Sequence, residues 1–412
     1  MTNILDFGAI ADGATLNTTA IQKAIDATAA QGGGQVVVPA GTFVTGTLRL
    51  KDNIDLHLEP GALLVASKNM DDYNPPDEYP QNWGSTVEQW RGAHLILAIG
   101  RKNVSITGRG TIDGSGDFFF EPPAKRPLRN NYAWAWGFRV SRDKEMLRPG
   151  QMLVFCECQN VLVSGVTIRN SPCWCCYLIG CQDAVVEKLI IHNPPDAANT
   201  DGIDIDCCQN VMVSNCNIET GDDAITIRGH ERVLGGKHSP CENVTITNCV
   251  LGCSVCAFRI GVGSGTIRNV AISNIAIRRS ARGFLVQSAY SSSIGVDIYD
   301  ISVSNIRFDN TACPVKIVAG SPETTATIHD ISFDGLRGNC YANIQVIGQE
   351  KTQPHPHDIW FSNFHFHVVK PPVRLADQKY YPSHFLSITR AERIFAQNVH
   401  FERDEEAEPF WN

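Results

Sequence analysis

The chain contains 412 residues, of which 43% are hydrophobic and 19% are charged, and its formal net charge is −8. This composition is typical of a globular protein, and the acidic balance argues against a surface that binds nucleic acid. No apolar run is long enough for a membrane-spanning helix. The first residues lack the basic and apolar regions of a secretion signal, which predicts a cytoplasmic protein.

The first predicted element is a short amphipathic helix that follows Asn17, a residue favoured at helix N-caps, and ends before Gly32-Gly33-Gly34. Its apolar stripe is predicted to contain Ile21, Ala24, Ile25 and Thr28. We expect this helix to cover the open end of a stack of strands, because an uncovered end exposes unpaired strand edges. About residues 1–45 would form this cap and the first coil.

A short phrase of alternating apolar and polar residues recurs from about residue 100 onward. It begins at Asn103, Asn160, Asp183, Asn210, Asn243, Asn269, Asp300, Asp330, Asp358 and Arg393. Between Asn160 and Asp358 successive phrases start 23 to 33 residues apart. Alternation predicts a strand, and one strand per repeat of this length predicts a solenoid. The sequence therefore predicts an all-β fold, a right-handed single-stranded parallel β-helix with a short N-terminal capping helix.

Stacking the phrases tests this register. The residues six positions after the eight starts from Asn160 to Asp358 are all apolar: Val166, Leu189, Cys216, Cys249, Ile275, Ile306, Leu336 and Phe364. The residues two positions before the seven starts from Asn160 to Asp330 are Cys158, Cys181, Cys208 and Cys241, then Ile267, Ile298 and Ile328. The fifteen cysteines are thus expected to be free thiols, several of them acting as small core residues. A third column contains Asn215, Asn248, Asn274, Asn305 and Asn363, which we expect to hydrogen-bond along the axis.

One segment interrupts the repeat. Residues 116–150 are rich in prolines, aromatic residues and basic residues, and an insertion of this length is usually a functional loop or lid. No second domain is predicted, so we expect residues 1–412 to form one parallel β-helix domain.

The chemistry concentrates at the turn that lies about ten residues after each phrase start. In two consecutive coils this turn contains Asn199-Thr200-Asp201-Gly202 and Thr220-Gly221-Asp222-Asp223. Adjacent coils lie about 4.8 Å apart, so the three aspartates should be neighbours. Crowded carboxylates raise the pKa of at least one of them, which gives the protonated acid and ionised base that glycoside hydrolysis needs.

These motifs resemble those of glycoside hydrolase family 28, the polygalacturonase-like enzymes. Asn170-Ser171-Pro172-Cys173-Trp174, Gly108-Arg109-Gly110-Thr111 and Arg148-Pro149 strengthen the resemblance, which covers nearly the whole chain. It implies a pectin-lyase-like β-helix and inverting hydrolysis without a metal or other cofactor. Asp222 would be the general acid, and Asp201 and Asp223 would position and deprotonate the water.

Two family motifs are missing. Cys256 stands where the family has the histidine of Gly-His-Gly, and Leu285-Val286-Gln287 replaces the Arg-Ile-Lys that grips a galacturonate carboxylate. The sugar could therefore differ, or other residues could bind the galacturonide. The candidates for contact with substrate are Arg259, Arg228, His230, Trp174, Gln287, Arg282, Tyr290, His192 and Cys256.

We expect an enzyme that releases sugars from galacturonide or rhamnogalacturonan-type oligosaccharides derived from pectin. The 116–150 insertion could close one end of the groove, which would favour exo-type cleavage. Two alternatives remain open: a β-helix lyase or epimerase acting on uronic sugars, and a non-catalytic β-helix that binds carbohydrate. Clustered cysteines around Cys173 could suggest zinc, but Cys181 already belongs to the core column and no suitably spaced histidines accompany them, so no metal is expected. The oligomeric state is left open.

Overall fold

The protein is a right-handed parallel β-helix. A computed structural model describes residues 1–82, 92–122, 148–290, 295–320, 326–350, 354–369 and 385–404. Every strand pairing between successive coils in these ranges is parallel. None of the helices in these ranges has the length and apolar character needed to cross a membrane.

The first half of the helix contains short strands. They are β1 (Thr2–Asn3), β2 (Asp12–Leu16), β3 (Gly34–Val38), β4 (Gly41–Thr45), β5 (Leu48–Arg49), β6 (Ile54–Leu58), β7 (Ala62–Ala66), β8 (Ile96–Ile99), β9 (Lys102–Gly108), β10 (Thr111–Asp113), β11 (Leu153–Cys156), β12 (Gln159–Ser164), β13 (Thr167–Arg169), β14 (Cys176–Ile179), β15 (Gln182–Glu187) and β16 (Ile190–His192).

The described part of the second half contains further short strands and five strands of 12 to 22 residues that bend around the corners. They are β17 (Ile203–Asp206), β18 (Gln209–Ser214), β19 (Asn217–Glu219), β20 (Ile225–Gly229), β21 (Cys241–Thr247), β22 (Val250–Gly252), β23 (Cys256–Gly263), β24 (Thr266–Gln287), β25 (Asp297–Val318), β26 (Ile328–Cys340), β27 (Ile344–Ile347), β28 (His357–Val368), β29 (Leu386–Thr389) and β30 (Glu392–Arg403). Within the described residues, the helical segments are α1 (Thr18–Ala30), a short α-helix (Gly116–Phe119) and four 3₁₀ turns (Ile4–Phe7, Met70–Asp72, Pro80–Asn82, Glu231–Leu234).

The strands form three faces. The site face is the one that carries the functional groups, and it contains β5, β8, β11, β14, β17, β20, β23, the C-terminal parts of β24 and β25, β27 and β29. The predicted repeat phrases form the second face, from β9 and β12 to β30. The third face includes β10, β13, β16 and β19.

The predicted core columns are confirmed by the strand register. Cys241 pairs with Ile267, Ile267 with Ile298, and Ile298 with Ile328. Thiols therefore take core positions that isoleucine takes in later coils, and all fifteen cysteines are free and buried. Some of these thiols also donate to backbone carbonyls. The thiol of Cys158 donates to Ala98 at 3.3 Å, and the thiol of Cys208 donates to Asp206 at 3.2 Å.

Asparagines line two corners of the helix. In the predicted column, the side-chain amide of Asn305 donates to Oδ1 of Asn274 on the preceding coil at 2.8 Å. Asn363 accepts in the same way from Asn398 on the following coil at 2.7 Å. Asn215 instead donates to its sequence neighbour Ser214. A second ladder runs through the phrase starts, where side-chain amides donate to the equivalent residue of the preceding coil. One stretch of this ladder contains Asn53, Asn103 and Asn160. The other stretch contains Asp183, Asn210, Asn243 and Asn269. These residues adopt positive φ, which asparagine tolerates better than most residues.

Helix α1 buries the predicted stripe of Ile21, Ala24, Ile25 and Thr28 against the first coil. The predicted capping role of Asn17 is wrong in one respect, because its side chain makes no bond to the first turn of α1. It instead accepts from the amide of Ile10 at 2.7 Å and donates to the carbonyl of Thr15 at 2.7 Å, so it fixes the preceding loop.

A second hydrophobic cluster lies outside the coils. Strands β11 and β14 are buried on both sides, whereas β12 and β15 alternate between buried and exposed residues. The outer cover of the site face here includes Tyr79, Trp174, Tyr177, Val233 and Leu234. This cluster, called the outer cluster below, fills the face on the N-terminal side of the aspartate turns.

Most of the predicted 116–150 insertion, residues 123–147, lies outside the described residues. The single-domain organisation stays a prediction, although one hydrophobic core is continuous from Ile4 to Phe385.

Candidate active site

The corner between the third face and the site face carries the aspartates. Asp201 lies two residues before Ile203, Asp223 lies two residues before Ile225, and Ile203 pairs with Ile225 in the register of β17 and β20. The two carboxylates therefore occupy equivalent positions on adjacent coils, and Asp222 lies beside them. One oxygen from each of the three lies within 4.8 Å of the others.

Continuing this register defines a corner column. Trp174 comes before Asp201, and Cys256, Arg282 and Cys313 follow Asp223. A second column on the outer side of the site face contains Tyr177, Asp204, Thr226, Arg259, Leu285 and Lys316. Acidic groups in both columns thus give way to basic groups toward the C-terminus.

Burial and mutual repulsion set the protonation of the cluster. Asp201 is only 6% exposed, and burial followed by the charges of Asp222, Asp204 and Asp223 raises its pKa well above the usual value. Burial and the charge of Asp223 raise the pKa of Asp222 to about 7, although Arg259 acts in the opposite direction. At least one of the three carboxyls thus retains a proton near neutral pH.

Among the three aspartates of the cluster, Asp223 accepts the most hydrogen bonds from the described residues. It accepts from Nε of Arg259 through Oδ2 and from the backbone amide of Cys256 through Oδ1, the latter at 2.9 Å. Asp222 accepts from the amide of Asn199 at 3.0 Å. Oδ1 of Asp201 is buried and has no hydrogen-bond partner among the described residues.

A buried arginine ties the two aspartate turns together. The guanidinium of Arg148, 1% exposed, donates to the carbonyls of Pro172 at 2.6 Å and Ala198 at 2.9 Å and to Oδ1 of Asn199 at 2.8 Å. It also lies 5.0 Å from the ring centroid of Phe120. Because the amide of Asn199 binds Asp222, Arg148 acts on the cluster through this loop.

The predicted substrate-contact residues divide into two groups. Arg228 lies beside the aspartates, stacked 4.5 Å from the ring of Trp174 and 3.5 Å from Asp206. Arg259 contacts Asp223 directly, and its guanidinium lies 5.3 Å from the ring of Tyr290, which is 52% exposed. These side chains and the aspartates lie on one face of the helix.

The remaining candidates are more distant or differently oriented. The amide of His230 donates to Asp206 at 2.7 Å, and Gln287 donates to the carbonyl of Ala289 at 3.0 Å. The thiol of Cys256 is buried and its pKa is raised to about 12, chiefly by burial, so it is a packing residue rather than a nucleophile. His192 is exposed on the third face between Arg169 and Glu219, outside the aspartate corner.

Three residues were missed as site residues by the sequence analysis. Asp204 and Asp206 alternate with isoleucines in β17, and both are fully buried although their side chains point away from the core. Lys316 stands at the equivalent position in β25. The signal was available, because a charged residue at alternate positions of a strand after the aspartate turn must lie on the outer side of the site face.

Only the three aspartates form a possible metal-ligand group in the described part of the chain. Their surroundings fit protons better than a cation, because Arg259 and an amide already bind Asp223 and the other two carboxyls have raised pKa values.

Residues 31–367 match the model of glycosyl hydrolases family 28. The chain belongs to this family. An exo-poly-alpha-D-galacturonosidase from Dickeya chrysanthemi is 32% identical over 89% of this chain and 67% of its own length. An exopolygalacturonase from Zea mays is 24% identical, and the match covers 82% of this chain and 76% of the maize protein.

The fold of this family 28 chain agrees with solved structures. The exopolygalacturonase from Thermotoga maritima has a TM-score of 0.74 and 23% identity, covering 97% of this chain and 91% of that one. The Erwinia carotovora polygalacturonase has a TM-score of 0.63 and 20% identity, covering 95% of each chain. This family 28 protein is a glycoside hydrolase, which confirms the predicted family and enzyme class.

Proposed function

We propose that this enzyme hydrolyses α-galacturonide bonds in pectin-derived oligosaccharides, with Asp222 as the general acid. The observation that carries the proposal is the cluster of three carboxylates, whose oxygens lie within 4.8 Å of one another at the edge of the site face. With a pKa of about 7, Asp222 is protonated in a large fraction of molecules near neutral pH and can donate to the leaving oxygen. Asp223 then accepts the proton of the attacking water, which Oδ1 of Asp201 helps to hold.

We propose an inverting, single-displacement reaction. The carboxylates are closer together than the roughly 6.5–9.5 Å typical of inverting enzymes, so separation alone would favour retention. Hydrogen bonding favours inversion, because both oxygens of Asp223 are occupied by Arg259 and the Cys256 amide. Asp201 is buried with a strongly raised pKa and is a poor nucleophile. A water held by these groups is therefore the better attacking group.

We propose exo-action, because the described residues cover the site face on the N-terminal side of the aspartates and leave charged side chains partly exposed on the C-terminal side. The outer cluster covers β11 and β14 on the N-terminal side. On the C-terminal side, the outward residues Arg259 and Lys316 are partly exposed. A sugar chain can then extend toward the C-terminal coils, while the other side accommodates a chain end. The Dickeya and maize relatives are both named as exo-acting enzymes, which supports the proposed exo-action.

The charge of this open side supports an acidic sugar. Arg259, Arg282 and Lys316 follow the aspartates along the two columns, in a protein whose net charge is −8. The 32%-identical relative is named for action on poly-galacturonide. Rhamnogalacturonan-type fragments are the second substrate class, and the assay below separates the two.

We also propose that the enzyme works in a reducing compartment such as the cytoplasm, acting on short oligosaccharides. Fifteen free, buried cysteines with no disulfide support this proposal. Fractionation of native cells followed by immunoblotting tests it, and recovery outside the cytoplasm would overturn it.

The reaction is tested with purified protein on oligogalacturonides and rhamnogalacturonan fragments. We expect release of single sugars or short units from a chain end of oligogalacturonides, and an anomeric configuration opposite to that of the substrate in early NMR spectra. A product that absorbs in the ultraviolet would instead indicate a lyase. The matched variants are Asp222→Asn, expected to be inactive, and Asp183→Asn on the exposed second face, expected to be active.

A further inference from the structure

The two ends of the β-helix differ in how their cores are covered. At the N-terminal end, α1 packs against the first coil and buries Ile21, Ala24 and Ile25. At the C-terminal end, β30 pairs with β28 on one side, and no described strand pairs with it on the other side. The described part of the chain therefore leaves β30 as an edge strand of 12 residues.

Core positions of the last coil are exposed. Phe401 is in register with Phe366, yet Phe401 is 38% exposed whereas Phe366 is fully buried. In the same way, Ile388 of β29 is 45% exposed, although its register partner Val346 is fully buried. Apolar side chains at core positions of a last coil form a surface that a further layer of structure would bury.

The backbone groups on the open side of β30 belong to its inward-facing residues. In the preceding coil, the carbonyl of the buried Val368 accepts from the amide of Asp404 in the following coil at 3.1 Å. The same orientation in β30 directs the N–H and C=O groups of inward residues toward the open side. These inward residues, which continue the buried positions of β28, include Ile394, Ala396, Val399 and Phe401.

The charges of β30 are complementary to those of the same strand read in the reverse direction. The strand reads Glu-Arg-Ile-Phe-Ala-Gln-Asn-Val-His-Phe-Glu-Arg. With a two-fold axis between positions 397 and 398, Arg393 of one copy faces Glu402 of the other, and Glu392 faces Arg403. Arg393 is 53% exposed and is held by Asp358 at 2.7 Å, and its guanidinium has further donors for a second carboxylate.

The bend of β30 fits the same symmetry. The strand turns a corner at Asn398, whose φ is 53°. A two-fold axis along the bisector of this corner exchanges the two arms of the strand. It places Ile394 opposite Phe401 and Ala396 opposite Val399, so that inward residues face inward residues. Because these residues carry the backbone groups of the open side, both pairs can exchange N–H and C=O hydrogen bonds in an antiparallel ladder.

We propose that two copies of this chain form a symmetric dimer, end to end, through antiparallel pairing of their β30 strands. A two-fold interface requires a surface that is complementary to itself, and β30 meets this requirement in charge, in side-chain direction and in backbone direction. Pairing also covers the exposed core positions of both copies. The partner is therefore a second copy of this chain.

The first test measures the mass of the full chain by analytical ultracentrifugation over a range of concentrations. We expect wild type to have twice the mass of one chain and to dissociate on dilution. Glu402→Arg places like charges opposite each other at both ends of the paired strands, so its dissociation constant should be on the order of 10- to 100-fold higher. The control Lys102→Glu, at an exposed position of the second face, should dimerise like wild type.

A mixing experiment tests the symmetry of the interface. Arg393→Glu alone should also weaken association, because it places two carboxylates opposite each other at both ends. Mixed in equal amounts with Glu402→Arg, it should form a heterodimer, because the contacts between positions 393 and 402 then join opposite charges. Far-UV circular dichroism checks that each variant is folded. If both variants are folded and the mixture contains no heterodimer, the antiparallel register is wrong.

Two results of the first test would overturn the proposal. The first is a wild type that stays monomeric at every concentration. If removal of residues 405–412 then produced dimers, this segment rather than a second copy would cover β30. The second is a dimer that Glu402→Arg leaves unchanged, which would show that the copies meet through another surface.

Discussion

The guanidinium of Arg259 pairs with the carboxylate of Asp223 across two adjacent coils, and the backbone amide of Cys256 binds the other oxygen of that carboxylate. One charged pair therefore connects the family 28 acid cluster to the basic side of the same face. Asp222, next in sequence, receives its main donated hydrogen bond from Asn199 instead. The two neighbouring aspartates thus have different partners. Asp222 keeps its proton more readily, whereas Asp223 is paired with a cation as a carboxylate.

The pH dependence follows from Asp222. A general acid must be protonated, so kcat/KM should fall about tenfold per pH unit as the pH rises above about 7. Asp222→Asn should lower kcat by about 10²- to 10⁴-fold. Initial rates from pH 4 to 9 check this, and a rate that stays constant up to pH 9 would remove Asp222 from the role of acid.

Arg259→Leu should shift this pH profile. Arg259 lowers the pKa values of both Asp222 and Asp201, so its removal should move the alkaline limb upward by about one pH unit or more. The rate should also fall, because Asp223 loses a donor. The matched control is Arg268→Leu, whose exposed guanidinium pairs with Glu242 on the second face. An unshifted limb in Arg259→Leu would show that the ion pair does not tune Asp222.

Stability should respond to pH in the opposite sense to that of an ordinary salt-bridged aspartate. The pKa of Asp222 is about 7 in the folded protein and about 3.8 as the reference value, so the folded state binds the extra proton between these values. The contribution of Asp222 to stability is therefore present at low pH and is lost as pH rises to about 7. In denaturant unfolding, the free energy of unfolding of Asp222→Asn relative to that of wild type should rise from pH 4 to pH 7. It should rise no further above pH 8. A pH-independent difference would contradict the raised pKa.

Arg148→Leu should impair both stability and turnover. It leaves two carbonyls and the side chain of Asn199 without their donor, which should cost about 2–4 kcal/mol of unfolding free energy. Movement of Asn199 should also lower kcat more than it raises KM. The comparison variant is Arg169→Leu, an exposed arginine paired with Asp113, expected within about 0.5 kcal/mol of wild type. Equal effects of the two variants would exclude a special role for Arg148.

Chelation should not affect the enzyme. If the cluster holds protons, EDTA treatment followed by desalting should leave kcat unchanged, and added Ca²⁺ should not restore or raise it. A loss above tenfold that Ca²⁺ reverses would mean that Asp201, Asp222 and Asp223 hold a cation instead.

The stacking of the helix could be predicted because its register is repeated in the sequence. Cys241 and Ile267 were expected at one core position, and they pair there. The same spacing predicts that Asp201 and Asp223 are neighbours on adjacent coils. In a parallel β-helix each position is stacked on its equivalent in the next coil, so one-dimensional spacing already contains the long-range contacts.

Side-chain reach and covering segments could not be predicted in this way. Asn17 has the right identity and place for a helix cap, yet it bonds the preceding loop. The register places Arg228 on the site face, but only the structure shows that its guanidinium lies 4.5 Å from the ring of Trp174.

The sequence by itself determined the coil, its core columns and the aspartate corner, because these depend on periodic backbone register. The tertiary structure decided which carboxyl keeps a proton, which arginine pairs with Asp223 and which of the described residues cover the N-terminal side of the site face. Those properties depend on burial and on distances between side chains from different coils, and no spacing along the chain specifies them.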